Sequence, residues 1–322
     1  MRIALIFNTT RPDTTGGYLA RACRALGLSC DQWRLQDAER IPEDYDLYLR
    51  IDHGDDYFVR LPDRLRPSVF YAIDTHLPHI WRKIRRVAGR FDAVFCAHRD
   101  AADRLPGAEW LPVACDPSIH APMFARGRSL GIVPSERCES RDDWELHGSR
   151  GDVGASAWDV AFVGTDGGVP RKFYLQALRE RYPASFIGTA EHTRLAAIYG
   201  RSRVGFNYSI ADDVNMRTFE VLAAGALLVT NALRHDDLAA LGLEDRRDLV
   251  LYRSPGELMG TIDHYLAHPE ERRAIAEAGC ALVRARHTYT HRMRQLLASV
   301  HERLGVGAPQ LETKESFACA SS

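Results

Sequence analysis

The sequence predicts an α/β protein made of two Rossmann-like, doubly wound domains that face each other across a cleft. Three observations lead to that reading. Short apolar runs alternate with helical stretches, the rhythm of βαβ units and a mostly parallel sheet. The rhythm occupies residues 1–123, breaks over a polar, glycine-rich stretch at 124–157, and restarts at Trp158. With 322 residues, 45% of them hydrophobic, the chain has material for two packed cores.

The elements follow in order. Ile3–Phe7 reads as a strand, and the loop "NTTRPDTTGG" leads to a helix over Tyr18–Leu26 that Gly27 stops. "DLYLRID", "SVFYAID" and "FDAVFCAH" read as further strands, and "EWLPVACD" ends the series near Asp116. From 124 to 157 the sequence is charged and lacks periodicity, which predicts a linker or mobile insertion. The second series, residues 158–288, opens with the strand "WDVAFVG". It continues through a helix over Arg171–Arg181, strand Ser185–Gly188, a helix over Arg194–Tyr199, strand Val204–Ser209 and the helix within "NMRTFEVLAAG". Strands "ALLVTN" and "LVLYR" and helices over Pro255–Ala267 and Pro269–Arg286 complete it. A terminal helix spans residues 289–304. Met293, Leu296, Leu297 and Val300 form its apolar stripe, and Arg292, Arg294, Glu302 and Arg303 are left for solvent. Residues 305–322 read as a disordered tail.

Composition narrows the function. A formal net charge of −1 gives no electrostatic footprint for nucleic acid. Seven cysteines without a CxxC pair read as reduced thiols, hence a cytoplasmic setting. The longest apolar run, in "VLAAGALLV", is far short of the roughly 20 residues that cross a bilayer. Peripheral membrane contact stays open.

In open parallel sheets, ligands bind beyond the carboxyl ends of strands, so the loops there carry the candidates. "SIADDVNMRTFE" joins a strand to a helix. Asp213 or Asn215 can cap that helix. Its first turn, including Thr218, presents backbone donors suited to phosphate, and Arg217 adds a guanidinium fork. Glu220, three residues on, can accept from both hydroxyls of a ribose. The plain alternative is an i,i+3 Arg217–Glu220 ion pair on a wet helix. After the first strand of the second series, "FVGTDGGVPRK" offers Gly164, Gly167 and Gly168 for close backbone approach, with Thr165 a further donor-binding candidate and Arg171 and Lys172 placed to meet a diphosphate. Gly188 ends the next strand. In the first domain, Asp74 and His76 follow a strand, where either can serve as a base towards an acceptor hydroxyl. Capping and structural roles compete with that reading. Gly16 and Gly17 lie in the first cleft loop. His287 and His291 have i,i+4 spacing but no HExxH or cysteine partner, so no metal site is expected.

From Val204 to His291 the chain resembles the C-terminal domain of GT-B glycosyltransferases of the group-1 type, nearest the spore-maturation-protein (CgeB-like) branch. "NMRTFEVLAAGALLVTN", "DLVLYRSPGELMGTIDHYLAHPEERRAIAEAG" and "HTYTHRMRQLL" carry the likeness. "YDLYLRID", "VFYAIDTHLPHIW" and "WDVAFVGT" extend it to most of the chain. The resemblance implies a nucleotide-sugar donor held by the second domain, an unidentified acceptor on the side of the first, no cofactor and no metal. It also implies that the terminal helix crosses back to the first domain. Retaining members carry two acidic residues separated by seven; here Asp212 precedes Glu220 at that spacing, with aspartate in place of glutamate. The spacing leans towards retention, whereas a base at Asp74 or His76 suits inversion. A non-catalytic nucleotide-sugar-binding or coat-associated protein, or an epimerase, would share the fold.

Overall fold

The apolar run after Arg2 forms β1 (Arg2–Ile6), and Ile3, Ala4, Leu5 and Ile6 are all fully buried. Burial on both faces is what a strand inside a parallel sheet requires. The structure, a computed structural model, describes residues 1–122 apart from 12, 53–56 and 58, and residues 156–307. The proposed linker at 124–157 and the tail at 305–322 therefore lie almost wholly outside the described residues. The chain divides into two units, Met1–Val113 with Tyr289–Ser322, and Ala114–Thr288. The division at Val113 falls before residue 123, where the change in composition placed it.

The first unit continues with α1 (Thr15–Ala25), β2 (Ser29–Trp33), a 3₁₀ turn (Leu35–Arg40), β3 (Leu47–Ile51) and β4 (Ser68–Ala72). Then come α2 (Pro78–Ala88), β5 (Ala93–Cys96), α3 (Arg99–Arg104) and β6 (Ala108–Trp110). All pairings are parallel, in the order β2-β1-β3-β4-β5-β6. The edge strand β2 is absent from the sequence reading, because "SCDQW" is polar and only partly buried. The helix α1 starts at Thr15, earlier than the apolar pattern indicates. Thr14 caps it by accepting from the Gly17 N–H at 3.1 Å.

The second unit comprises β7 (Trp158–Val163), α4 (Arg171–Arg181), β8 (Ser185–Gly188), α5 (His192–Gly200), β9 (Ser202–Asn207) and α6 (Met216–Ala224). β10 (Leu227–Asn231), α7 (Asp237–Ala240), β11 (Val250–Tyr252), α8 (Pro255–Ala267) and α9 (Pro269–Arg286) follow. Its parallel sheet has the order β11-β10-β9-β7-β8. The core is built on Phe162, Phe206, Val229, Tyr252, Leu258 and Ile262. The first strand, β7, lies between β8 and β9, so the strand order reverses there. Such a switch point leaves a crevice at the carboxyl ends of the two central strands. The chain enters and leaves this unit side by side: Cys115 bridges to Thr288, and its N–H donates to the His287 carbonyl at 3.0 Å.

The last helix, α10 (Tyr289–Leu304), belongs to the first unit. Tyr289 stacks on Tyr18 of α1 with ring centroids 5.1 Å apart, and Met293, Leu296, Leu297 and Val300 are buried. Arg292 does not face solvent, as its polarity suggested. It is 4% exposed and donates to the carbonyls of Pro112 at 2.7 Å and Val113 at 3.4 Å, beyond the end of β6. A buried guanidinium is tolerated because carbonyl acceptors meet it.

Candidate active site

The carboxyl edge of the second unit is organised by Arg217 in the first turn of α6. Its Nε donates to the Val163 carbonyl at the end of β7, 3.0 Å away, and NH1 donates to Asn207 Oδ1 at the end of β9, 2.9 Å away. The guanidinium lies over the Phe162 ring, 4.4 Å from its centroid. Arg217 thus spans the two strands of the switch point instead of closing an ion pair with Glu220.

Gly164, next along from β7, has φ +146°, and a Cβ there would lie 2.3 Å from the Arg217 NH2. Only glycine combines that backbone with that approach. Its N–H donates to the Gly188 carbonyl at 2.8 Å, joining the β7 and β8 ends.

Arg171 opens α4 and reaches the same edge. It donates to the Tyr208 carbonyl through Nε at 3.1 Å and NH2 at 2.9 Å, and to the Thr165 carbonyl through NH1 at 3.3 Å. Burial first, and the neighbouring Arg217 charge second, push the Arg171 guanidinium down to about 10. Two half-buried cations held in each other's field favour an anion that contacts both. Lys172, beside Arg171, is exposed.

Asn215 is the residue preceding α6, yet its side chain does not cap the helix; Nδ2 donates to Asn207 Oδ1 at 3.3 Å. Nor does Asp213, which accepts from the Ser209 hydroxyl while Ser209 Oγ accepts from the Asp213 N–H at 2.8 Å. The first-turn amides of α6 are thus presented without a side-chain cap from Asn215. Thr218 is buried. Glu220 is 7% exposed, and its Oε1 lies 3.9 Å from Nε2 of His120, which is fully buried. Asp212 has φ +59° and accepts from the Arg234 N–H at 3.0 Å, so its carboxylate is anchored to the loop after β10.

In the first unit the carboxyl edge of the sheet is organised around Asp52, which the sequence reading did not single out. Its Oδ2 accepts from the backbone N–H of Ile73 at 3.2 Å and of Asp74 at 3.1 Å, and its Oδ1 accepts from Tyr57. Asp74 and His76 follow β4 there. Thr75 shares a 2.7 Å hydrogen bond with His98 Nδ1, and the His76 ring meets the His98 ring edge-on at 4.8 Å. Gly16 and Gly17 are helical, not part of a loop as their glycine character suggested. A Cβ at Gly16 would lie 2.2 Å from Phe7 Cγ, so this glycine serves helix–strand packing.

Asn207, Tyr199 and His120 were also missed. Asn207 joins Arg217 to Asn215, and the Tyr199 hydroxyl accepts from the Val163 N–H at 2.9 Å. A polar residue following the apolar run Val204–Phe206 was the available signal for Asn207. Nothing in the sequence pairs His120 with Glu220, one hundred positions away.

Residues 145–298 match a family model described as glycosyl transferase-like. This transferase-like stretch contains the whole constellation from Gly164 to Glu220. None of the curated proteins compared with the sequence matches it. Solved structures are similar over nearly the full chain. Anabaena HepE, in complex with UDP and glucose, superimposes with a TM-score of 0.62 at 11% identity, covering 94% of this chain and 100% of that one. Sucrose-phosphate synthase from Thermosynechococcus elongatus gives 0.59 at 13% identity, covering 95% and 99%. A glycosyltransferase from Rickettsia africae gives 0.60 at 11%, covering 95% and 99%. At such identities the likeness concerns the fold, which is the two-domain, Rossmann-like GT-B architecture. Among the described residues, no helix is long and apolar enough to cross a membrane.

Proposed function

We propose that the chain is a glycosyltransferase of the group-1 type, resembling its CgeB-like branch, that moves a sugar from a nucleotide-sugar donor to an acceptor hydroxyl without a metal. The supporting observation is the convergence of Arg171, Arg217 and Gly164 at the β7/β9 switch point, beside the open amides of α6. In this reading a diphosphate lies against both guanidiniums and the helix N-terminus, while Thr165 and Gly188 shape the backbone around it. Its growing negative charge as the glycosidic bond breaks is offset by protein cations. Glu220 accepts from the ribose hydroxyls, with His120 Nε2 3.9 Å from its carboxylate. Asp212 takes the sugar side, the assignment that favours retention. The first unit supplies the acceptor side, with Asp74 or His76 receiving the hydroxyl proton. The glycosyl centre is oxocarbenium-like at the transition state. HepE and its UDP-bound structures make UDP-sugars the first donors to try. The free thiols Cys23, Cys96, Cys115 and Cys280 are buried, in keeping with a cytoplasmic enzyme.

The experiment is a calorimetric titration of the full chain with UDP-, GDP-, dTDP-, ADP- and CDP-sugars in EDTA, followed by an assay for nucleotide release. One donor should bind and be hydrolysed slowly without acceptor. Absence of binding by every donor would refute the assignment, and release that depends on added metal would refute its metal independence.

A further inference from the structure

The turn that joins the first helix to the edge strand brings two thiols together. α1 ends at Ala25, and the chain reverses over residues 26–28: Gly27 has φ +69°, and the Leu28 N–H donates to the Cys23 carbonyl at 2.9 Å. β2 then runs back along the helix, parallel to β1. Cys30 is its second residue, and Cys30 Sγ lies 3.8 Å from the Ala20 carbonyl oxygen, one turn before Cys23. A helical side chain leans over the turn that precedes its own Cα, so the Cys23 side chain extends towards that same place. The Cys23 thiol donates to the Cys30 sulfur there.

The two sulfurs differ in their surroundings. Cys23 is fully buried, whereas Cys30 is half-buried on a strand that has a neighbour on one side only. The hydrogen bond from Cys23, opposed by burial and aided by Arg24, holds Cys30 below the ordinary thiol range. The same bond, and then burial, raises Cys23. Burial also raises Cys96, Cys115 and Cys280, the first two to about 12. Among the described cysteines, only Cys30 combines an accessible sulfur, a favoured thiolate and a second thiol in contact, the setting of an oxidation-sensitive cysteine with its resolving partner.

We propose that Cys23 and Cys30 form a reversible thiol–disulfide modification site whose oxidant is a hydroperoxide. The Cys30 thiolate attacks a peroxide oxygen: an S–O bond forms, the O–O bond breaks, and the departing hydroxide takes up the proton that Cys30 released on ionising. Cys30 is then a sulfenic acid. The Cys23 sulfur attacks the Cys30 sulfur, the S–O bond breaks, and hydroxide leaves with the Cys23 proton as water. Two thiols and one hydrogen peroxide thus give one disulfide and two waters, with two electrons passed from sulfur to oxygen. The bond fastens the last turn of α1 to the edge of the sheet, and a dithiol reductant restores both thiols by exchange. Transient disulfides of this kind are the ones a reducing cytoplasm permits. The site is independent of the donor site in the second unit.

The test is a titration of the full chain with hydrogen peroxide, followed by alkylation of the remaining thiols and tryptic mapping without reductant. Trypsin cleaves after Arg21, Arg24 and Arg34, so the disulfide appears as residues 22–24 joined to residues 25–34. This pair is expected at peroxide concentrations roughly tenfold or more below those that oxidise Cys96, Cys115 or Cys280, and dithiothreitol should separate it. Cys23→Ala should leave Cys30 as a sulfenic acid that dimedone captures, and Cys30→Ser should leave Cys23 unmodified over the same range. Mapping of the unaltered chain decides by itself if Cys23→Ala, a core substitution, fails to fold. Absence of the joined pair, oxidation of the buried thiols at the same concentrations, Cys30 joined instead to another cysteine, or equal dimedone capture of Cys30 with and without Cys23 would each overturn the proposal.

Discussion

A cation in the first turn of a helix works against the helix dipole, which favours anions at that end. Arg217 occupies that position in α6 and is fixed there by Val163, Asn207 and the Phe162 ring. Residues held against local preference are commonly kept for a ligand, and the test is direct. Gly164→Ala places a methyl group 2.3 Å from the Arg217 NH2, so the guanidinium must leave its seat. Donor affinity is expected to fall about tenfold or more, equivalent to roughly 1.5 kcal/mol for one charged hydrogen bond. Unchanged calorimetric affinity would remove Arg217 from the donor site. Glu220→Ala should weaken nucleotide binding by about 1.5–3 kcal/mol while leaving 2′,3′-dideoxynucleotides nearly unaffected. Equal losses for both would show that Glu220 does not read the ribose. At this scale the sequence reveals residue types at the right edge of the sheet. It does not reveal partners. That Arg217 turns to a strand carbonyl, and Glu220 to a histidine from another part of the chain, depends on tertiary contacts that no local pattern encodes.

Elements were far more legible than contacts. The helices α4, α8, α9 and α10 have the bounds that the sequence predicts, because each buries one apolar stripe. The strand β2 escaped notice because an edge strand needs no apolar run, and α7 because four residues carry no period. Contact between elements again required coordinates. Gly279 of α9 is such a case: a Cβ there would lie 2.1 Å from the Asp248 backbone carbonyl and 2.8 Å from Leu222 of α6. Gly279→Ala should therefore push α9 away from α6, destabilising the second unit by about 1–3 kcal/mol. Chemical denaturation measures this; a gain in stability, as helix propensity alone would give, would contradict the packing described.

At the scale of the whole molecule, the first unit is completed by the end of the chain. Truncation before Tyr289 removes the Tyr18–Tyr289 stack, the buried face of α10 and the Arg292 hydrogen bonds to Pro112 and Val113. The truncated chain should lose the unfolding transition of the first unit and keep nucleotide binding by the second, which differential scanning calorimetry and titration separate. Loss of both would show that the second unit does not stand without α10. Acid should act on the same helix. Burial, then the charges of Arg294 and Arg292, hold the His291 imidazole below its ordinary value of 6.5. The unfolded chain then takes up the proton first, so this contribution is complete above 6.5 and is lost as pH falls through the folded value. The first unit's Tm should drop on acidification below 6.5, and His291→Gln should flatten that dependence; an unaltered slope would assign the acid sensitivity elsewhere. The return of α10 also sets an order of events during synthesis. When the ribosome has made Val113, the first unit still lacks its final helix, and the stretch from Ala114 to Leu304 must be translated before that helix exists. At about 5–20 residues per second that delay is on the order of ten to forty seconds. The second unit, continuous in sequence, can close meanwhile. For that interval the surface of α1 around Tyr18 is open to chaperones, and the unit translated first is the one that matures last.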